Sequence, residues 1–331
     1  MEARLVESLP DGDGWQYEPK WDGFRCLAFR DGDDIAMMSK SGKPLDRYFP
    51  ELIAVLQDVE ERRFVLDGEI VLPIDGVLSF ADLQARLHPA ASRIAKLSQT
   101  TPAQLILFDC LQIGADEFVD RPLEIRRKAL ETFAKTMPGS LTISPATTRF
   151  EVASTWLEQT GGALDGVMAK RLDEPYRPGE RAMFKHKVQR TADCVVGGYR
   201  YDKTGQKVAS LLLGLYDDAG LLHHVGYSSS FSQEDRAKLA ALVEPLKGPS
   251  GFTGSAPGGA SRWSKPGTSR DWVALKPTLI AEVTYDQVTG NRFRHGTTFR
   301  RWRPDKAPAQ CTFDQLAAEL GPEQIERILS V

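Results

Sequence analysis

The periodicity of the chain changes near residue 190, and that change constrains the fold more than any other feature. Before it, β-like runs alternate with amphipathic helical stretches: Phe24 to Phe29, Asp46 to Val59, Phe64 to Leu72, Ala103 to Ile113, Pro122 to Ala134 and Phe150 to Gln159. Two further β-like runs follow at Gly166 to Leu172 and Met183 to Val188. This pattern predicts an α+β domain over residues 1–188. Beyond Arg190 the runs are β-like at Cys194 to Tyr201, Val208 to Tyr216, Leu221 to Tyr227, Leu275 to Gln287 and Thr297 to Trp302, with one helix at Gln233 to Leu246. A β-rich domain over residues 189–331 follows, compatible with a small barrel whose topology periodicity alone does not fix.

With 331 residues, 41% apolar and 26% charged, the chain can bury a core in each domain. A net charge of −3 gives no whole-molecule attraction to a polyanion. Charge is uneven, however: from Arg262 to Lys306 there are ten Lys/Arg against four acids, an excess of six where a nucleic-acid surface would be sought. Part of this excess lies in Lys247 to Arg270, a Gly/Ser/Pro-rich loop whose Arg262, Trp263, Lys265 and Arg270 suit a solvated surface or a nucleic-acid contact equally. The cysteines Cys26, Cys110, Cys194 and Cys311 have no zinc-ligand spacing and read as small buried thiols in a reducing compartment. No apolar leader or membrane-length run is present, so a cytoplasmic, monomeric protein is expected.

Chemistry enters with Lys20-Trp21-Asp22-Gly23-Phe24-Arg25. A lone K-x-D-G is expected about 0.07 times in a chain of this size, and about 0.004 times with Arg at the fifth place after Lys. Further along stand Leu66-Asp67-Gly68-Glu69, Asp165-Gly166-Val167-Met168-Ala169-Lys170, Lys185-His186-Lys187 and Arg303-Pro304-Asp305-Lys306. Gly23 suits a close backbone approach or a positive φ, and Asp22 and Asp67 suit turn residues as well as site residues. An acid such as Glu69 inside an apolar strand needs a partner. Lys185 and Lys187 alternate along a strand and so share a face, with His186 on the other as a bystander. A lysine attacks phosphorus only as the neutral amine, about one molecule in a thousand near pH 7.4, so burial or neighbouring cations must favour that form.

The ordered set resembles the covalent nucleotidyltransferases, and within them the ATP-dependent DNA ligases, most closely bacterial ligase C and the ligase module of ligase D. The resemblance spans about residues 14–306. It implies an adenylation (nucleotidyltransferase) domain followed by an OB-fold domain, with ATP as AMP donor, Mg²⁺ or Mn²⁺ as cofactor and nicked double-stranded DNA as substrate. Lys20 would be the adenylylated residue, and the main chain at Glu18 would meet the adenine amino group. Arg25 would touch nucleotide or nick phosphate, and Glu69 the ribose hydroxyls or the metal. Phe108 would stack on adenine. Asp165, where most relatives have Glu, would bind metal, and Lys185 and Lys187 would serve the α-phosphate. Lys40, in Ser39-Lys40-Ser41-Gly42 where arginine is usual, and Arg181 would grip DNA phosphate. Arg303 and Lys306 would reach the pyrophosphate of ATP and then swing away about a hinge at Val188 to Ala192.

Only 19 residues precede Lys20, too few for a nicotinamide-recognition module or a DNA-clamping domain, so weak binding of nicks or dependence on partners is expected. Likeness to ligase D implies Ku and a repair polymerase. Two other readings stay open. One is an RNA ligase or capping guanylyltransferase. The other is a nucleic-acid-binding protein with vestigial motifs, stacking single strands on Trp263, Trp272 or Trp302.

Overall fold

The computed structural model describes residues 1–316 and 328, apart from 76, 139–140, 159–163, 203, 206, 232, 250 and 258–270. Arg262, Trp263, Lys265 and Arg270 therefore lie outside the described residues. The chain divides into two compact units, Met1–Val188 with Ala318–Val331, and Gln189–Ala317. Ile328, the described residue beyond Leu316, is fully buried in a core cluster of the first unit with Trp21, Trp156 and Val167.

In chain order the longer strands of the first unit are β1 (Ala3–Val6), β2 (Trp15–Trp21), β3 (Phe24–Asp31), β4 (Asp34–Ser39), β5 (Arg63–Val71), β6 (Gln104–Ile113), β7 (Leu141–Ile143), β8 (Leu164–Arg171) and β9 (Met183–His186). They form two sheets, one ordered β1-β9-β8-β2 and the other β7-β6-β5-β3-β4. Helices α1 (Pro50–Gln57), α2 (Leu123–Ala134) and α3 (Phe150–Glu158) complete the frame used here. Alternation explains the larger sheet: Phe64, Leu66 and Ile70 of β5 join Leu105 and Leu107 of β6, Leu52 and Leu56 of α1 and Leu130 of α2 in one core. The intervening residues of β5, Asp67 and Glu69, are left facing the other way. Burial of the core faces supplies the main driving force, about 25 cal/mol per Å² of apolar surface.

The second unit contributes β10 (Arg190–Tyr201), β11 (Val208–Tyr216), β12 (Leu222–Ser228), β13 (Ile280–Tyr285) and β14 (Thr298–Trp302), with α4 (Gln233–Val243). Their sheet runs β12-β11-β10-β13-β14. The outermost strands meet in the single bridge Ser228–Thr297. Core residues include Val195, Leu211, Leu213, Leu222, Val225 and Val283.

Several expectations are corrected. Asp67 is no turn residue; it lies fully buried within β5. The strand carrying Lys185 ends at His186, so Lys187 stands just past it. The helix expected over Asp46 to Val59 starts later, because Pro50 at the first turn of α1 fits only where no backbone N–H is required. All four cysteines are buried free thiols. Among the described residues no helix is long and apolar enough to cross a membrane.

Candidate active site

Strand register builds the site. In the smaller sheet Lys20 pairs with Gly166, Glu18 with Met168 and Gln16 with Lys170, while Met168 also pairs with Lys185 of β9. Residues two apart share a face, so Glu18, Lys20, Met168, Lys170 and Lys185 are presented together. In the larger sheet Arg25 pairs with Glu69, and Glu69 with Ile106 two residues before Phe108. The two faces bound a cleft of about 230 Å³ lined by Lys20, Glu18, Arg25, Lys40, Glu69, Phe108, Met168, Lys170 and Lys185.

Two glycines make this geometry possible. A Cβ on Gly23 would stand 2.1 Å from the Ile70 carbonyl oxygen, so close approach explains it. Gly166 has φ +142°, and a Cβ there would meet the His186 carbonyl oxygen at 2.0 Å. Next to it the β8–β2 register shifts between Leu164 and Gly166, a bulge with Asp165 as the extra residue. Bulges re-aim a side chain, and here Asp165 Oδ2 receives Lys20 Nζ at 2.5 Å and Lys187 Nζ at 2.8 Å.

Electrostatics follow from this packing. Burial alone raises the pKa of Asp165, but Lys20 and Lys187 outweigh it and hold the carboxyl below its ordinary value. Burial pushes Glu69 up to about 8 against the opposing pull of Lys20 and Arg25. Lys185 is lowered by burial, then by Lys20 and Lys187. These cations face a space where phosphate charge would be welcome.

A second group of ion pairs was not legible in the motifs. Lys170 Nζ donates to both Glu18 oxygens at 2.9 and 2.7 Å, nearly out of solvent, and Gln16 Nε2 donates to Glu18 Oε1 at 2.7 Å. The same ammonium lies 4.7 Å from the Phe108 ring centroid, and the Arg25 guanidinium 5.7 Å from it. Arg25 is clamped by Asp67 through Nε at 3.0 Å and Nη2 at 2.6 Å, while the Tyr176 hydroxyl donates to Asp67 at 2.8 Å. Alternation of Glu18 with Lys20, and of Lys170 with Met168, was the available signal.

The remaining predicted residues are distributed as follows. Lys40 lines the cleft and reaches Glu2 at 3.4 Å. His186 leaves the site for the Val6 carbonyl at 3.2 Å. Arg181 is exposed and is not among the cleft's lining. Arg303 and Lys306 belong to the second unit, where both contact Asp193. Among the described residues no cluster of three or more His, Cys, Asp or Glu forms a protein-only metal cage. Glu69 lines the cleft, and a hard cation that completes its shell with water and substrate phosphate would need only one or two such carboxylates.

Comparison with known proteins assigns the class. The ATP dependent DNA ligase domain matches residues 4–187, and the ATP dependent DNA ligase C terminal region matches residues 204–306. The chain belongs to the ATP-dependent DNA ligases. It is 46% identical to DNA ligase C1 of Mycolicibacterium smegmatis, over 97% of this chain and 94% of that protein. Identity to DNA ligase C of Mycobacterium tuberculosis is 42%, with the same coverage of each chain. The solved structure of a Lig E DNA ligase superposes with TM-score 0.53 at 15% identity, covering 88% of this chain and 93% of that one, a likeness of fold.

Proposed function

We propose that Lys20 is the nucleophile of a three-step nick-sealing cycle. Its Nζ attacks the α-phosphorus of ATP, forming an N–P bond as the bond to pyrophosphate breaks. A 5′-phosphate oxygen at the nick then takes the AMP from Lys20. The 3′-hydroxyl last attacks that 5′-phosphorus, forming the phosphodiester and releasing AMP. One observation carries this reading: Lys20 is the lysine in the cleft that shares a carboxylate, Asp165, with a second cation.

The other residues take supporting parts. Phe108 offers its ring to adenine, beside the main chain at Glu18. Arg25 and Lys185 line the space for phosphate, Lys187 joins them from its place beside Asp165, and Lys40 and Arg181 would hold DNA phosphate. Mg²⁺ or Mn²⁺ held by Glu69 and Asp165 would supply charge neutralisation at the phosphate oxygens. The five-strand path of the second unit, with the short strand Val273–Ala274 also on β10, supports an OB-type barrel, and the unit boundary supports a hinge at Val188 and Gln189, since Arg190 to Ala192 are already paired in β10. Repair of nicked duplex DNA, with Ku and a repair polymerase as partners, extends this reading.

Intact-mass spectrometry tests it. ATP should add one AMP to the protein, and Lys20→Ala should abolish both the adduct and joining of a nicked duplex. Labelling by GTP alone, or sealing of nicked RNA in place of DNA, would move the assignment to a capping enzyme or an RNA ligase.

A further inference from the structure

The cations of the last motif are already neutralised by carboxylates of their own unit. Arg303 Nη1 contacts Asp193 Oδ1 and Oδ2 at 3.0 and 2.9 Å. The other edge of the same guanidinium, Nε and Nη2, is held by Asp305 at 2.8 to 3.2 Å. Lys306 Nζ reaches Asp193 Oδ2 at 2.9 Å. Arg303 Nη1 also lies 3.5 Å from Glu282 Oε2, which Arg301 Nε reaches at 2.8 Å. Three cations thus meet three carboxylates, so the group as a whole offers a polyphosphate little net attraction.

The two sides of this pairing differ in freedom. Asp193 lies on β10 in a row with Glu282 of β13 and Arg301 of β14, and is 8% exposed. Its backbone is fixed at both polar atoms: its N–H donates to Gln315 Oε1 at 3.0 Å, and Gln315 Nε2 donates to its carbonyl at 3.3 Å. Arg303 and Lys306 have long side chains that are 22% and 21% exposed. The anion is anchored and the cations can leave. A carboxylate that loses both cations in so closed a place has reason to recapture them.

We propose that Asp193 is a positioning residue that parks Arg303 and Lys306 on the second unit until a di- or triphosphate takes them from it. This rests on the reading that these two cations act on the pyrophosphate of ATP during lysine adenylylation. Asp193→Asn keeps the shape but removes the competing charge. The ATP concentration that half-saturates lysyl-AMP formation should fall about two- to fivefold, as expected for releasing partly exposed ion pairs. Asp193→Glu should restore the wild-type value. Asp305→Asn, at a 63% exposed side chain that cannot unfold the sheet, should shift half-saturation the same way and by less. A general structural defect would raise half-saturation, so an unchanged or higher value in Asp193→Asn and Asp305→Asn overturns the proposal. Arg303→Ala separates the two levels: if its adenylylation keeps the wild-type ATP dependence, the pyrophosphate reading itself fails. If Arg303→Ala is impaired while both acid variants match wild type, the parking role alone is lost.

Discussion

Lys20 Nζ stands 2.5 Å from Asp165 Oδ2, a contact made by the extra residue of a β-bulge. The same oxygen receives Lys187 at 2.8 Å, so one carboxylate orders the proposed nucleophile and a second cation together. Asp165→Asn should lower the rate of lysyl-AMP formation at least about tenfold, roughly 1.4 kcal/mol in the barrier. Asp165→Glu, which keeps the carboxylate, should retain most activity. Rapid-quench labelling with ATP measures both. Asn matching wild type would remove Asp165 from the site.

Phe108 is half-buried in the cleft with Lys170 and Arg25 against its ring. Base stacking on an aromatic is worth about 1–3 kcal/mol, so Phe108→Ala should raise half-saturating ATP about five- to a hundredfold. Phe108→Tyr should stay close to wild type. Equal ATP dependence in Phe108→Ala and wild type would make the ring ordinary core.

The Glu18–Lys170 pair is nearly solvent-free, with side chains 3% and 4% exposed. Breaking such a pair from one side leaves a buried charge unmatched, so Lys170→Met should cost about 3–5 kcal/mol of stability. Adding Glu18→Gln to that variant should recover part of the loss. Urea unfolding of the three proteins reports this, and a single variant as stable as wild type would deny the pair its structural weight.

His224 lies buried in the second unit, where Arg292 Nη2 stands 2.9 Å from its Nδ1. Burial first, then Arg292 and Arg200, lower its pKa from 6.5 to about 3. Below pH 6.5 the unfolded chain therefore binds a proton that the folded chain refuses, and stability falls as pH drops toward 3. Between pH 7 and pH 5 the loss should approach about 2 kcal/mol, and His224→Gln should flatten it. An identical slope in the variant would exclude His224 as the cause.

Much of this was visible in the amino-acid order, for identifiable reasons. Lys20, Glu69, Phe108 and Lys185 line one cleft because each lies in a short strand whose faces are set by alternation. Strand β5 was legible from Phe64 onward because a short apolar run, Phe64-Val65-Leu66, resumes at Ile70-Val71. Asp67 stayed open between turn former and site residue, since neither Arg25 nor Tyr176, 151 residues from Arg25, is visible as its partner in a local window. Strand β2 was missed because Gln16 and Glu18 interrupt its apolar pattern, and the partner that makes Glu18 tolerable is 152 residues away. The burial of Ile328 beside Trp21 and Trp156 depends on long-range packing, which periodicity does not carry.

The bulge beside Gly166 makes insertions and deletions there more harmful than replacements. A replacement at Val167 alters one side chain. Deleting one residue between Leu164 and Met168 would erase the bulge, leaving Met168 and Lys170 in register while taking the Asp165 carboxylate away from Lys20 and Lys187. Strand length through this segment is therefore as much a part of the site as the identity of any residue in it.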